Sequence, residues 1–269
     1  MPPSMLENLR QVRKDYQLSQ LELSLRLGVS QRHISFVESG RAKPSRALLV
    51  AWLKELNVPL ILRNEILLQA GYAPLYSTTK LNNPALAQIN NALQQLLSAH
   101  DPQPAFVIDA QWNLLRLNRG GQWLAATLMP EMSALAGDGP VNMLDMLVHP
   151  EGLTKPITNL PDVGPAFLLR LRHEAMAQPA IAPKVEAFAS LLEARLGAKH
   201  AHAKFHTNGL QPAEPVLTTT YATPYGELSF FSMFTTFGTP QDITLASLRV
   251  EHMFAANEAT HTVLCEQIS

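Results

Sequence analysis

The stretch from Gln20 to Val37, QLELSLRLGVSQRHISFV, constrains the fold more than any other part of the chain. Leu23, Leu27, Val29, Ile34 and Val37 are spaced as the inner faces of two short helices, with Gly28 between them, where a tight turn needs a residue tolerant of positive φ. Ser30 comes next as an N-cap whose hydroxyl accepts from the free backbone N–H groups of the next turn. The pattern is a helix-turn-helix. Beyond Ser30 the second helix turns Gln31, Arg32, His33, Ser35 and Phe36 outward. Gln pairs bidentately with adenine, Arg with guanine, Ser with several partners, and an aromatic edge contacts a thymine methyl. These residues are the expected base-reading surface. A helical hairpin whose polar face is merely solvated is the plainer alternative.

The flanks extend the same unit. Ser4 is placed to cap a first helix running to about Asp15, with Met5, Leu9 and Val12 on one face. Ser19 and Glu22 form an S-x-x-E capping box at the start of the second helix. Gln20, just inside that N-terminus, is a candidate phosphate donor. After Ser39-Gly40 comes a basic loop, Arg41-Ala42-Lys43-Pro44, suited to the backbone of a duplex, though a solvated loop has the same composition. Ser45 caps a fourth helix with Leu48, Leu49, Trp52, Leu53 and Leu56 facing inward. Pro59 breaks it, and Leu60 to Ala70 forms a fifth, closed by Gly71. Residues 1–72 thus read as an all-α domain of five helices. Charge sets this region apart: residues 1–80 carry 11 Lys and Arg against 6 Asp and Glu, and residues 81–269 carry 10 against 16, so a net −1 hides a basic front and an acidic back. A split of this kind fits a polyanion-binding head on a body that does not touch the polyanion.

LSQLELSLRLGVSQRHISFVESGRAKPS resembles the DNA-binding head of the Cro/phage-repressor class of regulators, also called the xenobiotic-response-element class. Leu18-Ser19-Gln20, Leu23, Gly28-Val29-Ser30, Ile34-Ser35, Glu38-Ser39-Gly40 and Lys43-Pro44-Ser45 carry the likeness. Ser24 departs from it, standing where that class usually has Ala, and is still small enough for a close helix crossing. The partner so implied is double-stranded DNA, bound by a homodimer at an inverted-repeat operator.

Residues 73–84 are rich in Pro, Asn, Ser and Thr and read as a linker. From there to residue 269 the periodicity is mixed. Asn83-Pro84 opens a helix with Leu86, Ile89, Leu93, Leu96 and Leu97 on one stripe. AFVID and NLLRLN read as strands joined at Ala110-Gln111-Trp112, succeeded by a helix from about Arg119 to Leu128. Further helices are expected over Val141–Val148, Val163–Met176 and Ile181–Leu196. VLTTTYA, LSFFSMFTTF and LASLRVEHMF then read as an antiparallel meander with Pro/Gly turns. The expected second domain is α+β and PAS-like, a five-stranded antiparallel sheet with helices on one side. PAFVIDAQWNLLRLN, VHPEG and FFSMFTTFGTPQDITLASLRVE, with GYAP at Gly71–Pro74, resemble the MmyB-like transcription regulators. That resemblance implies a small-molecule effector, thought to be fatty-acid-like.

An apolar effector needs an apolar lining. Phe230 and Phe234 share one face of their strand, and Phe231, Met233 and Phe237 the other; Phe230, Met233 and Phe234 are candidates, with Phe106, Ile108, Leu115 and Leu117 completing a pocket and Arg170 and Arg172 as anchors for a carboxylate head. Simple core packing, with a second domain that only dimerises, accounts for the same aromatics. A cofactor-bearing sensor or enzyme tethered to DNA is a further alternative. His200, His202 and His206, with His149 or His252, invite a metal reading, yet no cysteine or carboxylate stands at ligand spacing and a solvated loop is favoured. With no Gly-rich phosphate loop, G-x-S-x-G elbow or H-E-x-x-H, neither catalysis nor a cofactor is expected. The single cysteine, Cys265, excludes an internal disulfide and fits a reducing compartment. With no signal-peptide core and no run of ~18 apolar residues, a cytoplasmic protein without membrane contact is expected.

Overall fold

A computed structural model describes residues 5–133, 141–197 and 216–268. The chain divides into two compact units, one of Met1–Leu81 with Thr239–Ala246, the other of Asn82–Gly238 with Ser247–Ser269.

The first unit holds five helices: α1 (Met5–Asp15), α2 (Gln20–Leu27), α3 (Gln31–Glu38), α4 (Arg46–Glu55) and α5 (Leu60–Gln69). The cap expected at Ser4 lies outside the described residues. The Ser19 hydroxyl accepts from Glu22 N at 3.1 Å while the Glu22 carboxylate accepts from Ser19 N at 2.8 Å, closing the capping box at the start of α2. Gly28 ends α2 at φ +66°, and its position leaves open space where a Cβ would be, so the turn needs Gly for its backbone angle rather than for room. Leu9, Leu23, Ile34, Val37, Leu49, Trp52, Leu53 and Ile66 are fully buried together, one core shared by all five helices. Asp242 belongs to this unit. Its carboxylate accepts from Ser77 Oγ at 2.6 Å, Thr79 Oγ1 at 2.7 Å and Thr79 N at 3.1 Å, and Ile243 N donates to the Ser77 carbonyl at 2.8 Å. Burial works against the Asp242 charge, but these donors outweigh it and hold the carboxyl below its ordinary range.

The second unit is a five-stranded antiparallel sheet with helices. In chain order it contains α6 (Ala87–His100), β1 (Ala105–Ile108), β2 (Leu114–Leu117), α7 (Arg119–Leu128), α8 (Pro130–Ser133), α9 (Met143–Val148), α10 (Leu160–Ala177), α11 (Ala182–Leu196), β3 (Thr219–Thr223), β4 (Gly226–Thr236), β5 (Arg249–Ala255) and α13 (Glu258–Gln267); the short helix α12 (Ile243–Ser247), between the last two strands in sequence, falls almost wholly in the segment that belongs to the first unit. The strand order is β2-β1-β5-β4-β3. Register sorts the side chains: Phe106 pairs with Leu117 and Glu251, and Glu251 pairs with Phe234, so these share one face.

Two local expectations are corrected. Leu245 to Leu248 do not join the last strand: Asp242 Oδ1 accepts from Thr244 N at 2.8 Å, an Asx cap that turns Ile243–Ser247 into α12 before β5 begins at Arg249. Helices also flank both faces of the sheet rather than one. His100 of α6 meets the rings of His252 and Phe254, which point away from the face of Glu251 and Met253.

Candidate DNA-binding surface and effector cavity

On the head, Ser30 Oγ accepts from His33 N at 3.2 Å and starts α3 where the sequence places it. Gln31 and Arg32 are exposed, and His33, Ser35 and Phe36 are half-buried along the same helix. The guanidinium groups of Arg32 and Arg41 lie 5.0 and 5.9 Å from the Phe36 ring centroid, and the Phe36 carbonyl accepts from Arg41 N at 2.8 Å. Phe36 therefore ties α3 to the basic loop through Arg41, while Arg32 lies over the same ring from within α3. Lys43 places its ammonium 5.0 Å from the Tyr72 ring centroid. Gln20 turns inward: its amide donates to Glu38 at 2.7 Å.

Glu38 is the feature that the sequence does not announce. Its side chain is 1% exposed and accepts from Arg13 Nε at 2.7 Å and Arg13 Nη2 at 2.9 Å as well as from Gln20. Burial pushes its carboxyl up, but the Arg13 fork and the Gln20 amide more than offset this and hold it below the ordinary glutamate range. α1, α2 and α3 are thereby locked at one point, which fixes the tilt of α3.

In the second unit one face of the sheet lies under a cavity of about 790 Å³. Its floor comes from β1 and β2 (Phe106, Leu114, Leu117), β5 (Glu251, Met253) and β4 and β3 (Phe230, Ser232, Tyr221). Leu124 and Leu128 of α7, Met143 and Leu147 of α9, Val163, Phe167 and Arg170 of α10 and Phe188 of α11 supply much of the remaining wall. Protein interiors pack densely and leave few voids larger than a water, whereas ligand pockets run to several hundred Å³. The lining is largely apolar, with polar side chains that include Gln122, Asn142, Asp145, Thr154, Tyr221, Ser232 and Glu251 and, at one end, Arg170. There Arg170 Nε meets Glu174 Oε1 at 3.1 Å, and Arg249 Nη1 and Trp112 Nε1 both reach Glu174 Oε2 at 2.9 Å. Trp112 is held there by a loop in which Asp109 Oδ1 accepts from Gln111 N and Asn113 N, leaving Trp112 at φ +66°. Burial pushes the Glu251 carboxyl up, against the opposing pull of Ser232, Arg170 and Arg249, and burial together with Glu251 pushes the Tyr221 phenol up.

Of the residues proposed from sequence for the effector, Phe106, Leu117, Arg170 and Phe230 line the cavity. Ile108 and Phe234 pack into the adjoining apolar core, and Phe234 has its ring centroid 4.2 Å from the Arg170 guanidinium. Leu115 and Met233 are exposed, and Arg172 pairs with Glu186 at 3.3 Å in solvent. Trp112, Ser232 and Glu251 went unsuspected. A charged residue inside an apolar strand was the signal for Glu251, but only the register shows which way it faces.

The histidine cluster His200, His202 and His206 lies outside the described residues. Among those described, no three His, Cys, Asp or Glu side chains are grouped to hold a metal ion, and no helix is long and apolar enough to cross a membrane. Cys265 is exposed, with its sulfur 3.8 Å from His261 Nε2.

Comparison with known proteins adds three findings. A helix-turn-helix family model matches residues 9–62, and the model of the MmyB-like transcription regulator ligand binding domain matches residues 89–265. No curated protein matches significantly. A solved structure described as an RNA-binding light-oxygen-voltage receptor is similar at 11% identity and a TM-score of 0.26, covering 98% of this chain and 61% of its own, a likeness too distant to bear on fold or function. With a helix-turn-helix in front and a ligand-binding-domain match over most of its length, the chain belongs to the family of MmyB-like transcription regulators.

Proposed function

We propose that a small, largely apolar effector enters the cavity and that its binding alters how a pair of heads engages an inverted-repeat operator. The cavity of about 790 Å³, built from one whole face of the sheet, carries the reading: a domain that only dimerised would fill that space with side chains. The apolar lining suits a hydrocarbon body of the kind a fatty-acid-like effector would bring. The strand order β2-β1-β5-β4-β3 supports a PAS-like domain. Coupling requires the effector to bind one arrangement of the heads better than the other. In a dimer the two α3 helices would sit ~34 Å apart, one turn of the duplex.

On each head Gln31, Arg32 and Ser35 read bases from α3, and Arg41 and Lys43 hold the phosphate backbone. Ser30, His33 and Phe36 set the helix and its loop against the groove. Gln20, engaged by Glu38, acts by fixing α3 rather than by reaching phosphate. Arg32→Ala is expected to cost roughly 1–3 kcal/mol and to relax specificity at one position, and Lys43→Ala to weaken all sequences alike with a shallower salt dependence. Titration of both variants against a panel of single-base operator changes tests this; an equal loss on every sequence for both contradicts the division of roles. For the effector, native mass spectrometry of the protein from its host, with organic extraction afterwards, is expected to release about one apolar molecule per chain.

A further inference from the structure

β4 and β5 form one hairpin that serves both units. Along its strands Ser232 and Glu251 line the cavity, and the ladder runs without a break from the pair Phe230 and Ala255 to the pair Thr236 and Arg249. Beyond that pair the chain leaves the second unit, because Thr239–Ala246 belong to the first. Asp242 fastens this tip there. Its side chain is buried; Oδ2 accepts from the hydroxyls of Ser77 and Thr79 and from Thr79 N, while Oδ1 accepts from Thr244 N. The backbones of Ser77 and Asp242 also form a parallel bridge. The segment that holds the tip is in turn held by α5. Asn64 Nδ2 donates to the Tyr76 carbonyl at 2.8 Å, its Oδ1 accepts from Leu75 N and Tyr76 N at 2.9 and 3.1 Å, and Arg63 Nη1 donates to the Tyr76 hydroxyl at 2.8 Å. An unbroken series of bonds thus leads from the cavity floor, along β4 and β5, through Asp242 and Ser77 to a helix of the head core.

We propose that the β4–β5 hairpin is the element through which an effector acts on the head, and that the Asp242 carboxylate, gripped by Ser77 and Thr79, is the positioning residue that passes its movement to α5. This rests on reading the cavity as the effector site. The chain crosses between the units three times, after Leu81, after Gly238 and after Ala246. The first crossing lies in a stretch with no helix or strand between Gln69 and Pro84, a tether that transmits little. The other two are the ends of paired strands, and packed or hydrogen-bonded elements are what carry coupling between sites. An effector that favours one arrangement of β4 and β5 thereby favours one arrangement of the tip. A buried carboxylate cannot slip from its donors without the cost of an unpaired charge, so the segment holding it has to follow.

The test is hydrogen exchange of the full chain, followed by mass spectrometry, with and without dodecanoate at a concentration that calorimetry shows to be saturating. In the natural chain dodecanoate is expected to slow exchange over β4 and β5 and to change the rate over residues 60–79 by at least about threefold. Asp242→Asn, which puts an N–H donor where one of the two acceptor oxygens stood, is expected to bind dodecanoate within about twofold of the natural chain and to keep the change over the strands while losing that over residues 60–79. Ser77→Ala combined with Thr79→Ala, which keeps the carboxylate and removes its hydroxyl donors, is expected to do the same. Dodecanoate that binds the natural chain and alters exchange in the second unit alone overturns the proposal and leaves the cavity reading standing. So does a folded variant of either kind in which residues 60–79 still respond in full. If dodecanoate does not bind, it is the effector cavity itself that falls, and this inference with it.

Discussion

Each half of the chain encloses a glutamate, and the two are treated in opposite ways. Glu38 in the head receives the Arg13 fork and the Gln20 amide, and its carboxyl is held down. Glu251 in the second domain has a hydroxyl partner and more distant arginines, faces a cavity, and its carboxyl is pushed up. A buried charge well supplied with donors sets a geometry, here the place of α3 against α1 and α2. Glu251 is half-buried, lines an open space and has no comparable set of donors, so it fixes no such geometry. The apolar surroundings obey the same division: the head core is closed around Trp52 and Leu53, and the second domain keeps open the space above its sheet.

The largest effect that would break this contrast lies in the head. Arg13→Ala leaves Glu38 enclosed without its fork and is expected to cost about 3–5 kcal/mol, read as a lower urea midpoint by circular dichroism. A loss below about 1 kcal/mol would show that Glu38 is no more committed than Glu251. The matching change in the second domain, Glu251→Gln, is expected to shift stability by less than about 1 kcal/mol, because few protein partners are lost. A deficit as large as that of Arg13→Ala would make Glu251 structural. The smallest effect is a difference in pH slope. The lowered carboxyl of Glu38 contributes stability in full above ~4.3, the ordinary unfolded value, and loses it as pH falls through its folded value. The raised carboxyl of Glu251 has the opposite sign, its contribution being present below ~4.3 and lost as pH rises through its folded value. Thermal melts across pH are therefore expected to flatten on the acid side in Glu38→Gln and on the alkaline side in Glu251→Gln.

The head was legible because its instructions are local. Ser19 with Glu22, Gly28 and Ser30 each act within one turn of helix, and apolar spacing gave the inner faces. What escaped was the one device that spans distance: Glu38 is 25 residues from Arg13, so no window along the chain joins them, and the bond from Gln20 to Glu38 likewise joins two different helices. The second domain gave up its strands and most helices on the same grounds, whereas its cavity depends on register across β1, β5 and β4. Leu115 and Met233 suited a lining by chemistry, but they fall on the other side of the pleat. Leu245 to Leu248 looked like a strand because a short apolar run has no period of its own; the Asp242 cap decided otherwise.

Asp242 also bears on how such regulators can be taken apart. The chain enters its first unit twice, at Met1–Leu81 and again at Thr239–Ala246, and the returning segment brings the carboxylate that Ser77 and Thr79 donate to. A recombination point in the linker, the natural place to exchange one DNA-reading head for another, would carry the donors away and leave their acceptor behind in the other gene. Heads in a chain of this design are not interchangeable cassettes: the segment after α5 and the connection from β4 to β5 must be inherited together.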